Sequence, residues 1–227
     1  MKALNHFLIF IGLFLLDVLY STLVISVLKM IGFNIYDLSI VNRYIVVILI
    51  DISLMFIFYL IYRKELNHEF SKYLKNFKKF FSFGLKYWVL GLAIMMASNF
   101  IIQLIYPSVA TNEQAVQEAL LEAPIYIAFS SCIFAPFVEE IVFRKSLRKV
   151  FNNNILFIIC SGILFGLVHN LTSLSSGQIL YIIPYGAFGA VFAYMYVKTN
   201  SIFVPITFHF IHNTILVIMS LATSGVI

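Results

Sequence analysis

The chain has 227 residues, of which 62% are hydrophobic and only 11% charged, with a mean hydropathy of +0.98. Soluble domains are about half apolar and a quarter charged, so this balance excludes a soluble globular domain and indicates an integral membrane protein. The net charge of +5 is not a nucleic-acid signature, and the only two cysteines, Cys132 and Cys160, sit in apolar segments, which argues against a disulfide framework or a thiolate metal site and for small packing residues.

Seven apolar stretches, near 7–28, 44–62, 85–106, 125–147, 155–171, 178–197 and 202–222, are each long enough to cross a bilayer, which takes about 20 residues. The first is too long for a signal-peptide core and lacks a small-residue cleavage site. The expected fold is all-α, a polytopic transmembrane bundle of about seven spans in one domain, 1–227. No repeat or linker divides it. Alternation from a cytoplasmic N-terminus places Lys2, the 63–86 connection, the basic run 144–149 and Lys198 on one side, which collects 13 of the 15 lysines and arginines. Only Lys29 and Arg43 fall opposite, so the positive-inside rule predicts a cytoplasmic N-terminus and an external C-terminus.

Along the chain, Asp17 and Asp51 lie in the first two spans, each about 15 Å from the cytoplasmic side by helical rise. They could share a proton along a path or steady a helix pair. Between 64 and 82, Leu66, Phe70, Tyr73, Leu74 and Phe77 recur at helical spacing among lysines. The pattern predicts an amphipathic helix on the cytoplasmic leaflet with anionic lipids as partners, against the alternative of a solvated basic linker. On the opposite side, 111–114 has capping-box spacing and predicts a short surface helix.

The fourth span carries two adjacent carboxylates, Glu139 and Glu140. Glu140 has Arg144 four residues on, the favoured helical ion pair, whereas Glu139 points about 100° away without a local partner. Pro136 is expected to kink the helix beside them. The next turn centres near Asn153. Counting 14 residues back to Glu139 and 16 forward to His169 puts both about 20 Å from the turn in an antiparallel hairpin. Gly162, Gly166 and His169 share a face open to close helix approach. In the last span His209 and Asn213 share another face at similar depth, with His212 adjoining. A carboxylate beside an imidazole can hold a water and remove its proton, and a histidine and an amide can donate to a tetrahedral oxyanion. Ser130, Ser131 and Cys132 lie too far from Glu139 to be nucleophiles.

The motifs "EEIVFR" (Glu139, Glu140, Arg144), "FGLVH" (Phe165, His169) and "HFIHN" (His209, Asn213) resemble, in order and spacing, those of the CPBP intramembrane proteases, also called the CAAX protease or Abi family. The resemblance covers about 135–215, within a catalytic core at 125–222; the spans of 1–106 match only as generic apolar helices. It implies that Glu139 and His169 activate water, that His209 and Asn213 stabilise the oxyanion, and that Glu140 and Arg144 brace the site. His212 lies outside the pattern, as a packing residue, a substrate contact or an extra ligand. No cofactor is favoured; the alternative is zinc held by Glu139, His169, His209 and His212.

The expected substrate is a peptide or membrane protein, with bacteriocin immunity as a related role. The Ile-, Phe-, Lys- and Asn-rich composition suggests a bacterial membrane. A site in the cytoplasmic half predicts access from the cytosol or the lipid. A catalytically silent scaffold for a sensor or partner protein, and a proton-coupled transporter, are the alternatives from other classes.

Overall fold

A computed structural model describes residues 2–107, 109–171 and 177–223. It is built of helices α1 (Lys2–Met30), α2 (Ile40–Lys75), α3 (Phe77–Ile105), α4 (Thr111–Glu122), α5 (Pro124–Ser146), α6 (Asn154–His169), α7 (Ile182–Thr199) and α8 (Phe203–Thr223). Among the described residues six helices are long and apolar enough to cross a membrane, α1, α2, α3, α5, α7 with its 3-10 lead-in, and α8. The chain is an integral, multi-pass membrane protein. The expected seventh span, α6, has 16 residues, or about 24 Å, less than a hydrocarbon core of about 30 Å. Asn153 caps its start by accepting from the amides of Ile155 and Leu156 at 2.7 and 3.2 Å.

Two expected boundaries are corrected. The segment 64–82 is helical but falls on two pieces, the part of α2 beyond a kink at Tyr62 and the start of α3. Tyr62 leaves helical geometry (φ −108°, ψ 15°), and α2 then continues to Lys75, while 77–82 opens α3. The apolar spacing was helical, but it serves two directions: Leu66 and Tyr73 are buried against the protein, whereas Phe70, Leu74 and Phe77 are exposed. The surface helix at 111 forms as α4, yet its cap is not a capping box, because Thr111 already stands in the first turn. Gln178 braces it instead, accepting from the Thr111 amide at 3.2 Å and donating to the Val109 carbonyl at 3.0 Å.

Pro136 acts by changing the helix frame. It has no N–H for the carbonyl four residues back, and α5 widens to π-helical turns over Ser130–Phe134 and again over Ile141–Ser146. The second widening comes where every side chain from 141 to 146 is buried.

Charge fixes the end of the bundle that carries the basic segments. Lys145, almost fully buried, pairs with Glu69 and with Glu65, the latter at 2.9 Å, and Lys149 pairs with Glu65 at 2.8 Å. The second carboxylate oxygen of Glu69 accepts from the Ile202 amide at 2.7 Å, which caps the entrance to α8. A buried lysine is tolerated only when its charge is paired and hydrogen-bonded. This clasp fixes the height of α8 against α5.

Closer to the middle, α6 and α7 meet through glycine. A Cβ on Gly162 would stand 2.6 Å from the Gly186 carbonyl oxygen, and one on Gly166 would stand 2.5 Å from that of Ile182. We expect Gly162→Val to destabilise the protein by about 1–3 kcal/mol through overpacking. Thermal unfolding in detergent checks this. Gly12→Ala, at a glycine with nothing within 4 Å, should leave the midpoint unchanged or raised.

Candidate active site

The hairpin of α5 and α6 brings the free glutamate to the histidine as the residue count requires. His169 ends α6, and its Nε2 lies 3.9 Å from Oε2 of Glu139. His209 on α8 presents its own Nε2 to the same oxygen, also at 3.9 Å. That oxygen is buried and makes no hydrogen bond to a described group.

The ring orientations are set from behind. Nδ1 of His169 lies 2.9 Å from the Phe165 carbonyl. A carbonyl only accepts, so Nδ1 carries the proton and Nε2 of the neutral ring carries the lone pair. The ring stacks on Tyr185, with centroids 5.0 Å apart and planes 22° apart. Nδ1 of His209 lies 3.0 Å from Oε1 of Glu140, and its ring stacks on Phe192.

Glu140 is therefore more than the partner of Arg144. It is fully buried, its Oε2 stands 3.2 Å from Nε of Arg144, and its Oε1 meets His209. Arg144, also fully buried, donates to the Gly189 carbonyl at 3.1 Å and lies over the Phe165 ring at 4.5 Å.

Asn213 donates to the Ser131 carbonyl at 2.7 Å, which leaves one amide hydrogen uncommitted by that bond. His212 packs its ring on Phe188, with centroids 4.3 Å apart. Among the described residues no group of three or more histidine, cysteine, aspartate or glutamate side chains is arranged as a metal site. Asp51 is buried and accepts from Ser21 at 3.4 Å, and Asp17 lies within electrostatic reach of both Asp51 and Glu139. Of the two acids, Asp17 is thus the one that comes near Glu139. Tyr185, Phe192 and the bond from Glu140 to His209 were not legible in the sequence, because each depends on a contact across distant helices.

The site opens into a cavity of about 410 Å³. Its lining follows Ser131, Ala135 and Glu139 on α5, and Met95, Asn99 and Gln103 on α3, at four-residue spacing towards the end that carries α4. Of the two expected routes, from the cytosol or from the lipid, the lining does not lead towards the basic, cytosolic end.

Fold and site together define a polytopic helical membrane protein with a buried glutamate–histidine centre. Residues 121–215 match the family described as type II CAAX prenyl endopeptidase, Rce1-like. The resemblance to the CPBP family carried by the three motifs thus falls within the stretch that this family description matches. It is 35% identical over 113 residues to the putative membrane peptidase YdiL of Bacillus subtilis (strain 168), covering 48% of this chain and 43% of that protein. It is 31% identical over 148 residues to the membrane-embedded CAAX protease MroQ of Staphylococcus aureus (strain USA300), covering 59% and 57%. The chain thus spans about half the length of the curated relatives it matches. No solved structure gives a significant match.

Removing one partner of the buried pair leaves the other charge uncompensated. We expect Arg144→Met to cost about 3–5 kcal/mol and the double variant Glu140→Gln/Arg144→Met to cost less than the two single changes added. Equilibrium unfolding of the four proteins in mixed micelles checks the coupling.

Proposed function

We propose that the protein is an intramembrane endopeptidase that hydrolyses a peptide bond with water activated by Glu139 and His169. The observation that carries this reading is the approach of two imidazole Nε2 atoms to one buried carboxylate oxygen, each at 3.9 Å. That separation is too long for a direct hydrogen bond and suits a bridging water. Water has two hydrogens to give, and Glu139 Oε2 and His169 Nε2 are two acceptors. Its oxygen lone pair is then free to attack a carbonyl carbon. Glu139 takes the proton as the C–O bond forms and passes it to the amide nitrogen as the C–N bond breaks, releasing an acid and an amine.

The oxyanion falls to Asn213 and His209. Asn213 has an amide hydrogen beyond the one given to Ser131. His209 donates through Nε2 in the form that carries a proton there, with its ring oriented by Glu140, whose Oε1 lies 3.0 Å from Nδ1. Glu140 and Arg144 act as positioning residues. No metal enters these steps.

The names of the relatives, a membrane peptidase and a CAAX protease, support a protease. A peptide or membrane-protein substrate in a bacterial membrane suits them, with peptide processing or bacteriocin immunity as the role. Exposed Phe70, Leu74 and Phe77 beside exposed Lys75, Lys78 and Lys79 suit contact with anionic lipid headgroups.

The test is cleavage of a membrane-peptide library by purified protein in nanodiscs. Glu139→Gln, His169→Ala and His209→Ala should each lower turnover by about 10²–10⁴-fold while the protein stays folded. A strong zinc chelator should leave wild-type turnover unchanged. Wild-type turnover in Glu139→Gln would sink the mechanism, and loss on chelation restored by zinc would replace the metal-free chemistry.

A further inference from the structure

We propose that the substrate chain enters the cavity from the α4 end in an extended conformation, and that Glu113 at the mouth selects a cationic residue four or five positions from the scissile bond. The proposal rests on the endopeptidase reading above and specifies its substrate.

Direction comes from the cavity walls. From Glu139 the lining runs back along α5 to Ser131, and from His209 it runs forward along α8 to Ser220. In both cases it climbs towards α4. None of the lining residues comes from 140–164 or 202–208, the opposite end of the same helices. There the floor is closed by Glu140, Arg144 and Phe143, all buried. A chain reaching Glu139 must therefore arrive past α4.

Length sets the register. Eight residues separate Ser131 from Glu139 and eleven separate His209 from Ser220, depths of about 12 and 16 Å at 1.5 Å per residue. An extended chain rises about 3.3 Å per residue, so four to five residues fit between the mouth and the reacting bond. The walls suit such a chain. Phe165, Phe188 and Phe192 offer apolar surface, and the amides of Asn99, Gln103 and Asn112 can meet backbone groups that would otherwise lie unpaired in an apolar setting.

Charge sets the preference. The charged residues of the lining are Glu113 and Glu139, with no lysine or arginine. Glu113 is half-buried, accepts from Gln117 at 3.0 Å, and has no ion-pair partner among the described residues. No lysine or arginine occurs from 87 to 143, so α4 adds only acids, Glu118 and Glu122, around the mouth. A free C-terminal carboxylate at the mouth of this cavity would meet no lysine or arginine. A lysine, an arginine or an amino terminus near the mouth would meet a carboxylate.

The experiment uses the full chain in nanodiscs and a cleaved reporter peptide carrying Lys, Gln or Glu at one scanned position on either side of the scissile bond. The expected result is a kcat/KM order of Lys, Gln, Glu, with about a fivefold spread at four or five residues' distance and none at other positions. Glu113→Gln should flatten the order and Glu113→Lys should invert it. Because each order is measured within one variant, a change in the amount of folded enzyme does not affect it. An order that survives Glu113→Lys, or a wild type indifferent to charge while Glu139→Gln remains inactive, would overturn this proposal and leave the endopeptidase reading standing. A wild type that cleaves no peptide would overturn both.

Discussion

One buried carboxylate holds the site together. Glu140 is sealed from solvent and shares its two oxygens between Arg144 on its own helix and His209 on α8. Arg144 in turn reaches the Gly189 carbonyl on α7 and the Phe165 ring on α6. Four helices are thereby registered on a single ion pair. Such a pair gives little net stability against well-packed apolar residues, but it penalises any arrangement that separates its members. That explains why two glutamates stand side by side in an apolar helix. A turn of about 100° sends Glu140 into the protein and leaves Glu139 facing the cavity.

The ion pair can span the bundle only because the helices approach closely. Gly162 and Gly166 bring α6 against the backbone of α7, and a Cβ on Gly189 would stand 2.8 Å from Phe165. The π-helical turns of α5 supply the complementary adjustment, since each changes the direction that following side chains take. Below the site the Lys145–Glu69 clasp sets the height at which α8 begins, and so the height at which His209 meets Glu139.

Much of this was legible because it is local. Apolar stretches, the Glu140–Arg144 spacing and the hairpin count from Asn153 all follow from helical rise and twist, and the fold brings Glu139, His169 and His209 to one place. What stayed hidden depends on contacts between distant positions. Glu65 and Glu69 read as part of a basic connection, and nothing in the sequence assigned them to Lys145, 76 residues away from Glu69. The break near 76 was missed because Asn76, which divides 64–82 between α2 and α3, interrupts neither the apolar spacing nor the run of lysines. The cap of α4 was misassigned because a side chain from 178 can replace a local one.

The direction of access shows why depth and accessibility are separate properties. Helical rise gives the height of Glu139 but says nothing about which end of the bundle is open. That is decided by where paired charge is buried. The basic end holds Glu140–Arg144 and Lys145–Glu69, and opening a passage there would separate charges that burial requires to remain together. The other end is walled by amides, hydroxyls and aromatic rings, groups that exchange one hydrogen-bond partner for another at small cost. A bundle that must admit a polar backbone therefore opens where its polar groups are neutral and closes where they are ionic.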